Sequence, residues 1–360
     1  MSLDKHVNEL LGLLESLEPK EFNVVVMPDF FLDRLVTVDL DVSGFSKMLA
    51  EVVSRKGGAI DGIKQLEFRG GNTANTASAL AKLGAKVHVI IQTGKIGMQM
   101  LEHYLKPLEV DLSHVKVKGK TSITTAIELK YNKEGKANVM LRDLGSLENF
   151  GPKDLTEEDF KLLEKADYVC LFNWAGTRKH GTELAKTIFR HVKEKGVGKT
   201  YYDTADPSPN EKGIGKLVKE VFLSNIIDIL SLNENEAVRY ASIIGLEEKI
   251  GGKTLEEKAR KSGEILSNQI SSRIDLHTTA FSSTFKNGKE VHVPTFKVGV
   301  LRATGAGDAW NAGNIFADAH DFPDSLRLTF ANAVAAYYIS SPEAEHPTLE
   351  ELQKFLKRKR

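Results

Sequence analysis

The chain has 360 residues, 41% of them hydrophobic, which is enough for one large α/β domain with an appendage. Its 49 basic and 49 acidic side chains cancel, and this balance argues against a nucleic-acid or membrane-surface partner, which a basic excess would favour. No apolar run approaches the ~18 residues that span a bilayer, and residues 1–20 lack the layout of a secretory signal. Cys170 has no partner for an internal disulfide, so we expect a protein of the reducing cytoplasm.

Helical and extended patterns alternate along most of the chain. Helices are predicted for residues 3–18, 43–56, 73–83, 98–105, 181–195, 234–241, 255–269 and 326–338, with another beginning near Gly307. Strands are predicted for residues 22–27, 87–92, 168–172, 199–203, 226–232 and 274–278. Residues 121–141 and 286–294 have the pattern of β-hairpins, turning at 132–135 and at Asn287-Gly288.

This alternation predicts an α/β fold with a mainly parallel open sheet covered by helices on both faces. In such sheets, ligands bind beyond the carboxyl ends of the strands, close to helix N-termini. The hairpin at residues 121–141 interrupts the alternation, and we interpret it as a lid or a small second sheet.

A glycine-rich turn occupies residues 304–308, Thr-Gly-Ala-Gly-Asp, at the start of a predicted helix. Its glycines let backbone amides approach a ligand, and a helix N-terminus presents free N–H groups to an anion. Such donors stabilise the charge that develops in phosphoryl transfer, and Asp308 beside them could take the proton of an attacking hydroxyl. The same residues also suit an ordinary helix cap, so this turn alone leaves both interpretations open.

Three further polar segments stand at strand ends or loop-to-helix junctions. They are residues 69–75 (Arg-Gly-Gly-Asn-Thr-Ala-Asn), residues 233–236 (Asn-Glu-Asn-Glu), and the pair Asp29 and Asp33 after the first strand. Taken singly, each also fits a structural role, as a helix cap or a solvated charge.

Together and in this order, the four segments resemble the PfkB (ribokinase-like) family of carbohydrate and nucleoside kinases, over residues 23–341. The resemblance implies a ribokinase-like fold with a small β lid, whose elements fall within residues 33–69 and 112–147. Residues 1–22 are then an N-terminal helical extension and residues 342–360 a C-terminal helix. The implied activity is transfer of a phosphoryl group from ATP, with Mg²⁺, to a hydroxyl of a sugar-like small molecule; the lid is also where relatives form homodimers.

The resemblance implies a role for each matching residue. It implies a catalytic base at Asp308 and an anion hole made by the backbone of Gly305, Ala306 and Gly307. Substrate contacts are implied at Asp33, Gly71, Asn72 and Asn75. Nucleotide contacts are implied at Asn233, Thr278 and Asn332, and a Mg²⁺-associated carboxylate at Glu236.

Several positions depart from the family pattern. Arg302 replaces an acid, Ala303 a threonine, Ala280 a glycine of the turn near the nucleotide, and Pro28 a glycine after the first strand. Residues 41–62 are partly helical in pattern where simpler relatives carry lid strands. Arg302 could bind a substrate carboxylate or phosphate by paired hydrogen bonds, or it could lie at the surface away from the site.

These departures keep alternative functions open. The donor could be ADP, or the acceptor a sugar phosphate or a sugar acid bound by Arg302. A catalytically inactive, ligand-binding member is a third alternative. A nicotinamide-dependent enzyme is disfavoured, because no Gly-x-Gly-x-x-Gly unit links a strand to a helix.

Overall fold

The computed structural model describes residues 2–131, 135–246, 248, 250–302 and 304–359. Most of the predicted turn at 132–135, and Ala303, lie outside these residues. The strands are β1 (Asn23–Met27), β2 (Phe31–Thr37), β3 (Lys64–Gly70), β4 (Lys86–Val89), β5 (Gln92–Thr93), β6 (Lys116–Val117), β7 (Ser122–Tyr131), β8 (Gly135–Asp143), β9 (Tyr168–Phe172), β10 (Lys199–Asp203), β11 (Ile229–Asn233), β12 (Arg273–His277), β13 (Phe281–Lys286) and β14 (Lys289–Pro294). The α-helices are α1 (Leu3–Glu15), α2 (Val42–Ser54), α3 (Asn72–Leu83), α4 (Lys95–Leu105), α5 (Glu157–Lys165), α6 (Gly181–Lys195), α7 (Ile214–Glu220), α8 (Glu234–Ala241), α9 (Leu255–Gln269), α10 (Ala306–Ala319), α11 (Asp324–Ser340) and α12 (Leu349–Arg358).

The main sheet has eight strands in the order β14-β13-β12-β11-β10-β9-β1-β4. The strands from β12 to β4 pair in parallel, and β13 and β14 add an antiparallel edge. Alternate residues of β1 enter different cores: Val24 and Val26 pack on one face of the sheet, and Val25 and Met27 on the other. The prediction of a mainly parallel sheet covered on both faces is therefore confirmed.

Short-range signals fix the ends of several helices. The Asp41 side chain accepts a hydrogen bond from the backbone N–H of Gly44 at 2.7 Å and caps α2. Thr156 and Asp159 form a reciprocal capping box at the start of α5. Gly84 ends α3 in the left-handed region, at φ 100°, which favours glycine.

A second sheet, the lid, has the strand order β3-β2-β7-β8. The predicted hairpin forms β7 and β8, and the helical pattern within residues 41–62 forms α2, but β2 and β3 were not predicted as strands. The apolar alternation of β3 is limited to Leu66 and Phe68, which is too short to identify a strand with certainty, and its first four residues, Lys64 to Glu67, are all exposed.

The helices at the two chain ends pack on the main domain. Val7, Leu10 and Leu14 of α1 are buried in the same core as Leu352 and Leu356 of α12. In the described part of the chain, no helix is both long and apolar enough to cross a bilayer.

Helices α3, α10 and α11 pack closely on one side of the main sheet. At Gly313 of α10, a Cβ atom would lie 2.8 Å from the Cα of Ala331 in α11. This contact leaves no room for a side chain, so the packing of α10, whose first turn carries Asp308, depends on glycine at this position.

We expect Gly313→Ala to lower the free energy of unfolding by about 1–3 kcal/mol, because the added methyl group forces α10 and α11 apart. The matched change Gly12→Ala lies in α1, where nothing is within 4 Å of the new Cβ, and should instead stabilise by up to about 1 kcal/mol. Urea denaturation of both variants measures the difference. Equal effects of the two substitutions would contradict the packing argument.

Candidate active site

A cleft of about 320 Å³ opens between the lid and the carboxyl ends of the main-sheet strands. Many of the residues predicted from the sequence line it together: Asp33, Gly71, Asn72, Asn75, Asn233, Glu236, Gly305, Gly307 and Asp308. Ala306 lies between the two glycines as the first residue of α10. The structure therefore brings residues from four separate segments of the chain to one place.

Asp308 lies in the first turn of α10 and is held at both carboxylate oxygens. Asn72 Nδ2 donates to Oδ1 at 2.7 Å, and Asn75 Nδ2 donates to Oδ2 at 2.9 Å. Burial raises the pKa of Asp308 to about 7; the Asn75 hydrogen bond works against this shift and the nearby Asp203 carboxylate adds to it. Asp308 is therefore a fixed carboxyl group that changes charge near neutral pH.

Asp29 fixes the two asparagines by anchoring the start of α3. Its carboxylate accepts hydrogen bonds from the backbone N–H groups of Asn72, at 3.0 Å, and Thr73, at 2.9 Å. Gly71 precedes them at φ 94°, and a Cβ there would lie 3.1 Å from the Asp29 backbone oxygen. Only glycine fits this turn without strain, and the turn directs both amides of α3 toward Asp308.

The other side of Asp308 is the N-terminus of α10. Gly305 is the N-cap residue at φ 88°, and a Cβ on it would lie 2.6 Å from the Tyr338 hydroxyl. The first N–H groups of an α-helix have no partner within the helix, so those of this turn are free to bind an anion.

His277 faces the same turn from the end of β12. Its Cε1 lies 3.3 Å from the position of a Cβ on Gly307, and its ring packs on Trp310 with 4.9 Å between centroids. Nε2 is buried and has no hydrogen-bond partner among the described residues. Burial lowers the pKa of His277, so the ring is a neutral imidazole that can still donate one hydrogen bond.

Asp33, on the lid strand β2, forms the opposite wall of the cleft. A Cβ on Gly70 would lie 2.1 Å from Asp33 Oδ2, so glycine leaves space for this carboxylate. Burial raises the pKa of Asp33 to about 6, with the Thr124 hydrogen bond and the charge of Arg142 opposing the shift. Asp33 Oδ1 is buried without a partner in the described part of the chain, as expected of an oxygen that receives a ligand hydroxyl.

Asn233 and Glu236 form a capping box at the start of α8. Asn233 Oδ1 accepts from the backbone N–H of Glu236 at 3.0 Å, and Glu236 Oε2 accepts from the backbone N–H of Asn233 at 3.0 Å. Burial, and then the charge of Asp203, raise the pKa of Glu236 well above its ordinary value. Two carboxylates that repel each other in one cleft are a suitable environment for a divalent cation.

The described residues contain no group of three or more His, Cys, Asp or Glu side chains arranged to hold a metal by themselves. Mg²⁺ is commonly held by one or two carboxylates together with substrate phosphates and water. The carboxylates of Asp203 and Glu236 in the cleft are donors of the type that fits this ion.

Besides Ala306, three predicted residues are not among those that line the cleft. Arg302 donates from Nη2 to the Pro342 carbonyl at 2.7 Å, and its Nε is buried without a partner among the described residues. The Thr278 hydroxyl accepts from the backbone N–H groups of Ala280 and Phe281 and holds the turn itself. Asn332 is buried and accepts hydrogen bonds from Ser282 and Trp310. Their predicted ligand contacts stay predictions.

The sequence reasoning missed several cleft residues. Asp203 ends β10, and its Oδ2 accepts from Asn311 Nδ2 at 2.6 Å; Asn173 and Arg142 also line the cleft, as does His277. Asp203 and His277 are the last residues of buried strands, and this position at the carboxyl end of a strand was the signal by which the sequence could have identified them. Arg142 carried none, because its place in the cleft depends on how the lid folds back.

Solved structures with the same fold include two kinases. The structure of an Arabidopsis thaliana ribokinase complexed with ribose and ATP has a TM-score of 0.71 at 19% identity, over 94% of this chain and 99% of that one. A Methanocaldococcus jannaschii nucleoside kinase has a TM-score of 0.68 at 16% identity, over 95% of this chain and 100% of that one. These likenesses establish the ribokinase-like fold.

Sequence relatives point the same way. A ribokinase of Haemophilus influenzae is 25% identical over 295 residues, 80% of this chain and 87% of the relative. A 5-dehydro-2-deoxygluconokinase of Clostridium botulinum is 23% identical over 357 residues, 97% of each chain. The sequence model of the pfkB family carbohydrate kinases matches residues 44–351, which is most of the chain. The chain therefore belongs to the pfkB family of carbohydrate kinases and is a phosphotransferase.

Proposed function

We propose that this kinase transfers the γ-phosphoryl group of ATP to a hydroxyl of a sugar or sugar-like molecule, with Asp308 as the general base. The observation that carries the proposal is the position of Asp308. Its carboxylate is fixed by Asn72 and Asn75 and lies beside the free N–H groups of a helix N-terminus. A base and an anion site within one turn are what hydroxyl phosphorylation requires.

On the acceptor side, Asp308 takes the proton of the attacking hydroxyl. The two asparagine amides hold its carboxylate in one orientation, so the acceptor oxygen is the group that must be placed. Asp33 Oδ1, which has no partner among the described residues, accepts a hydrogen bond from a second hydroxyl of the acceptor molecule and helps to place the first. A polyhydroxylated acceptor satisfies both carboxylates.

On the donor side, the backbone N–H groups of Gly305, Ala306 and Gly307 bind the transferred phosphoryl group as an anion hole. His277 Nε2, buried without a partner next to Gly307, adds a side-chain donor to this site. Asp203 and Glu236 would hold Mg²⁺, which when bound neutralises charge on the donor phosphates.

The relatives support ATP as donor and a sugar as acceptor, and they leave the substrate to experiment. One solved ribokinase is complexed with ribose and ATP, and another, from Cryptococcus neoformans, is in complex with ADP. The relative from Clostridium botulinum is a 5-dehydro-2-deoxygluconokinase, and another of the solved structures is a nucleoside kinase. Arg302 donates one hydrogen bond to Pro342, and a sugar acid or sugar phosphate as acceptor stays an alternative. The free cysteine Cys170 agrees with a place in the reducing cytoplasm.

A matrix of donors and acceptors tests the proposed function. ATP and ADP are each combined with Mg²⁺ and with a neutral sugar, a sugar acid, a sugar phosphate or a nucleoside, and phosphorylated product is measured by mass spectrometry. We expect turnover with ATP and a neutral polyhydroxylated acceptor. Turnover with ADP alone, or with phosphorylated acceptors alone, would replace the donor or acceptor assignment. Acceptor binding without turnover in any combination would indicate an inactive, ligand-binding member.

We expect Asp308→Asn to lower kcat by at least about a hundredfold while leaving the acceptor Kd within a few-fold, because the base acts in the transition state.

In the wild type, kcat/KM should fall about tenfold per pH unit below a midpoint near 7, since protonation of Asp308, whose pKa is about 7, removes the base. Asp33→Asn removes the carboxyl whose pKa is about 6 and should keep the midpoint near 7. If the acid limb of the kcat/KM profile is lost in Asp33→Asn instead, Asp33 and not Asp308 is the base.

We also propose that two copies of the chain pair through the lid. Helix α2 buries none of its residues, and Val53 on it is 72% exposed. Ile123, Val139 and Leu141 of the lid strands are exposed as well, and the strand register places them on one face of the lid sheet, opposite to the face of Asp33 that lines the cleft. Exposed apolar side chains grouped on one face mark an interaction site, and a second copy of the chain offers the same surface.

Sedimentation velocity at micromolar concentration measures this pairing. We expect a wild-type dimer, and we expect the double substitution Val53→Asp with Leu141→Asp to shift it to the monomer, because each buries a charge in the interface. Val197→Asp is the matched control, since Val197 is 80% exposed and lies outside the lid. A monomeric wild type, or a control that dissociates equally, would contradict the proposal.

A further inference from the structure

Arg69 lies behind the catalytic residues, next to the end of β3. Its guanidinium donates from Nε to Asn75 Oδ1 at 3.2 Å, and Nη2 lies 3.5 Å from His346 Nδ1. Burial lowers the pKa of Arg69, while Tyr338, Tyr104 and Asp308 oppose that shift. An arginine remains charged under these conditions, so a cation lies one side chain away from the base.

A directional chain of hydrogen bonds joins this cation to the carboxylate. Arg69 Nε–H donates to Asn75 Oδ1, and Asn75 Nδ2–H donates to Asp308 Oδ2 at 2.9 Å. A guanidinium can only donate and a carboxylate can only accept, so the Asn75 amide has one permitted orientation. Replacing Arg69 by a neutral side chain that can also accept would remove that restriction and let the amide turn over.

The same bond has an electrostatic effect. A cation on the amide oxygen polarises the N–H bonds of that amide and strengthens its hydrogen bond to the carboxylate. A stronger hydrogen bond to the ionised form favours ionisation. Asn72, the other donor to Asp308, has no cation behind it in the hydrogen bonds and ion pairs of the described residues.

We propose that Arg69 is a positioning residue for Asp308 that acts through the Asn75 amide, keeping the base anionic and correctly oriented at neutral pH. This inference rests on the proposed role of Asp308 as base. Arg69 does not line the cleft, so its effect is on Asp308 and not on the substrate directly.

The other charged and titratable groups around Arg69 and Asp308 cannot take the role of Arg69. The carboxylates Asp203 and Asp29 face Asp308 and disfavour its ionisation. His346 Nδ1 lies 3.5 Å from Arg69 Nη2 and 3.2 Å from the Ser78 hydroxyl oxygen. A guanidinium can only donate, so Nδ1 faces it as an acceptor, and burial lowers the pKa of His346, which favours the neutral imidazole. The remaining charged or titratable groups near Arg69, Tyr338 or His346 are Tyr104, Asp33, Arg302 and Lys82. Neither cation of that set is hydrogen-bonded to Asn75 or Asp308.

The test is the pH profile of kcat/KM for Arg69→Gln and Arg69→Lys. In Arg69→Gln we expect the midpoint of the acid limb to rise by about 0.5–1 pH unit, because the carboxylate loses support from the polarised amide. The high-pH plateau should stay within a few-fold of wild type. Arg69→Lys keeps the charge and loses the planar fork of the guanidinium, so its midpoint should lie between those of wild type and Arg69→Gln. Arg260→Gln removes an arginine paired with Glu290, outside the cleft, and should leave the profile unchanged.

A double substitution and a spectroscopic titration make the result specific. In an Asn75→Ala background, adding Arg69→Gln should move the midpoint by much less than it does alone, since the connection is already broken. The Asp308 carboxyl can also be titrated directly by ¹³C NMR of the free enzyme, with the signal assigned by its loss in Asp308→Asn. We expect the titration midpoint of this carboxyl to rise by the same amount in Arg69→Gln.

If Arg69→Gln lowers kcat/KM by the same factor at every pH and leaves the midpoint of the acid limb unchanged, the inference is overturned and Arg69 is a structural residue. A wild type without kinase activity would overturn the proposed function instead, and the NMR titration would still decide whether Arg69 acts on Asp308. If Arg69→Gln does not fold, as judged by circular dichroism, the Arg69→Lys profile and titration provide the same decision.

Discussion

The candidate site depends on one interaction, the pair of hydrogen bonds that Asn72 and Asn75 donate to Asp308. These bonds join the starts of α3 and α10, which are more than 230 residues apart in the chain. Both helices start at the carboxyl edge of the main sheet, and each start has a glycine at positive φ, Gly71 at 94° and Gly305 at 88°. The geometry of the base is therefore set by two helix N-termini and by the glycine turns that precede them.

Concentrating acids at this edge costs free energy, and the surrounding core offsets the cost by fixing their partners. Asp203 is held by Asn311 of α10, and the Asn311 amide oxygen in turn accepts from the Tyr201 and Ser231 hydroxyls, each at 2.7 Å. Deeper in α10, Asn314 donates to Asp275 at 2.8 Å, and Asp275 also pairs with Arg327 at 3.0 Å. The helix that carries Asp308 is thus anchored by buried polar contacts along its length, which keeps the repelling carboxylates in place.

How much could be predicted from sequence follows from how local each signal is. The glycine-rich turns and the main-sheet strands could be predicted, because residue types over a few positions determine them. Strands β2 and β3 could not: β2 has no apolar alternation, and the alternation of β3 is limited to Leu66 and Phe68. The place of Arg142 depends on the lid that these strands build. The role of Arg302 stays a prediction. Its position in the motif suggests a ligand, and its partner, Pro342, is 40 residues away, a contact that has no local signal.

Two arginines that do not line the cleft, Arg302 and Arg69, make contact with the same short segment after α11. Arg302 binds the Pro342 carbonyl, and Arg69 approaches His346, whose ring stacks on Tyr338 with 4.6 Å between centroids. The Tyr338 hydroxyl in turn packs against Gly305. Residues 338–346 therefore support the anion hole from one side and the base from the other. Because these contacts hold both groups relative to one another, a change in this segment should alter base and anion hole together, although none of its residues lines the cleft.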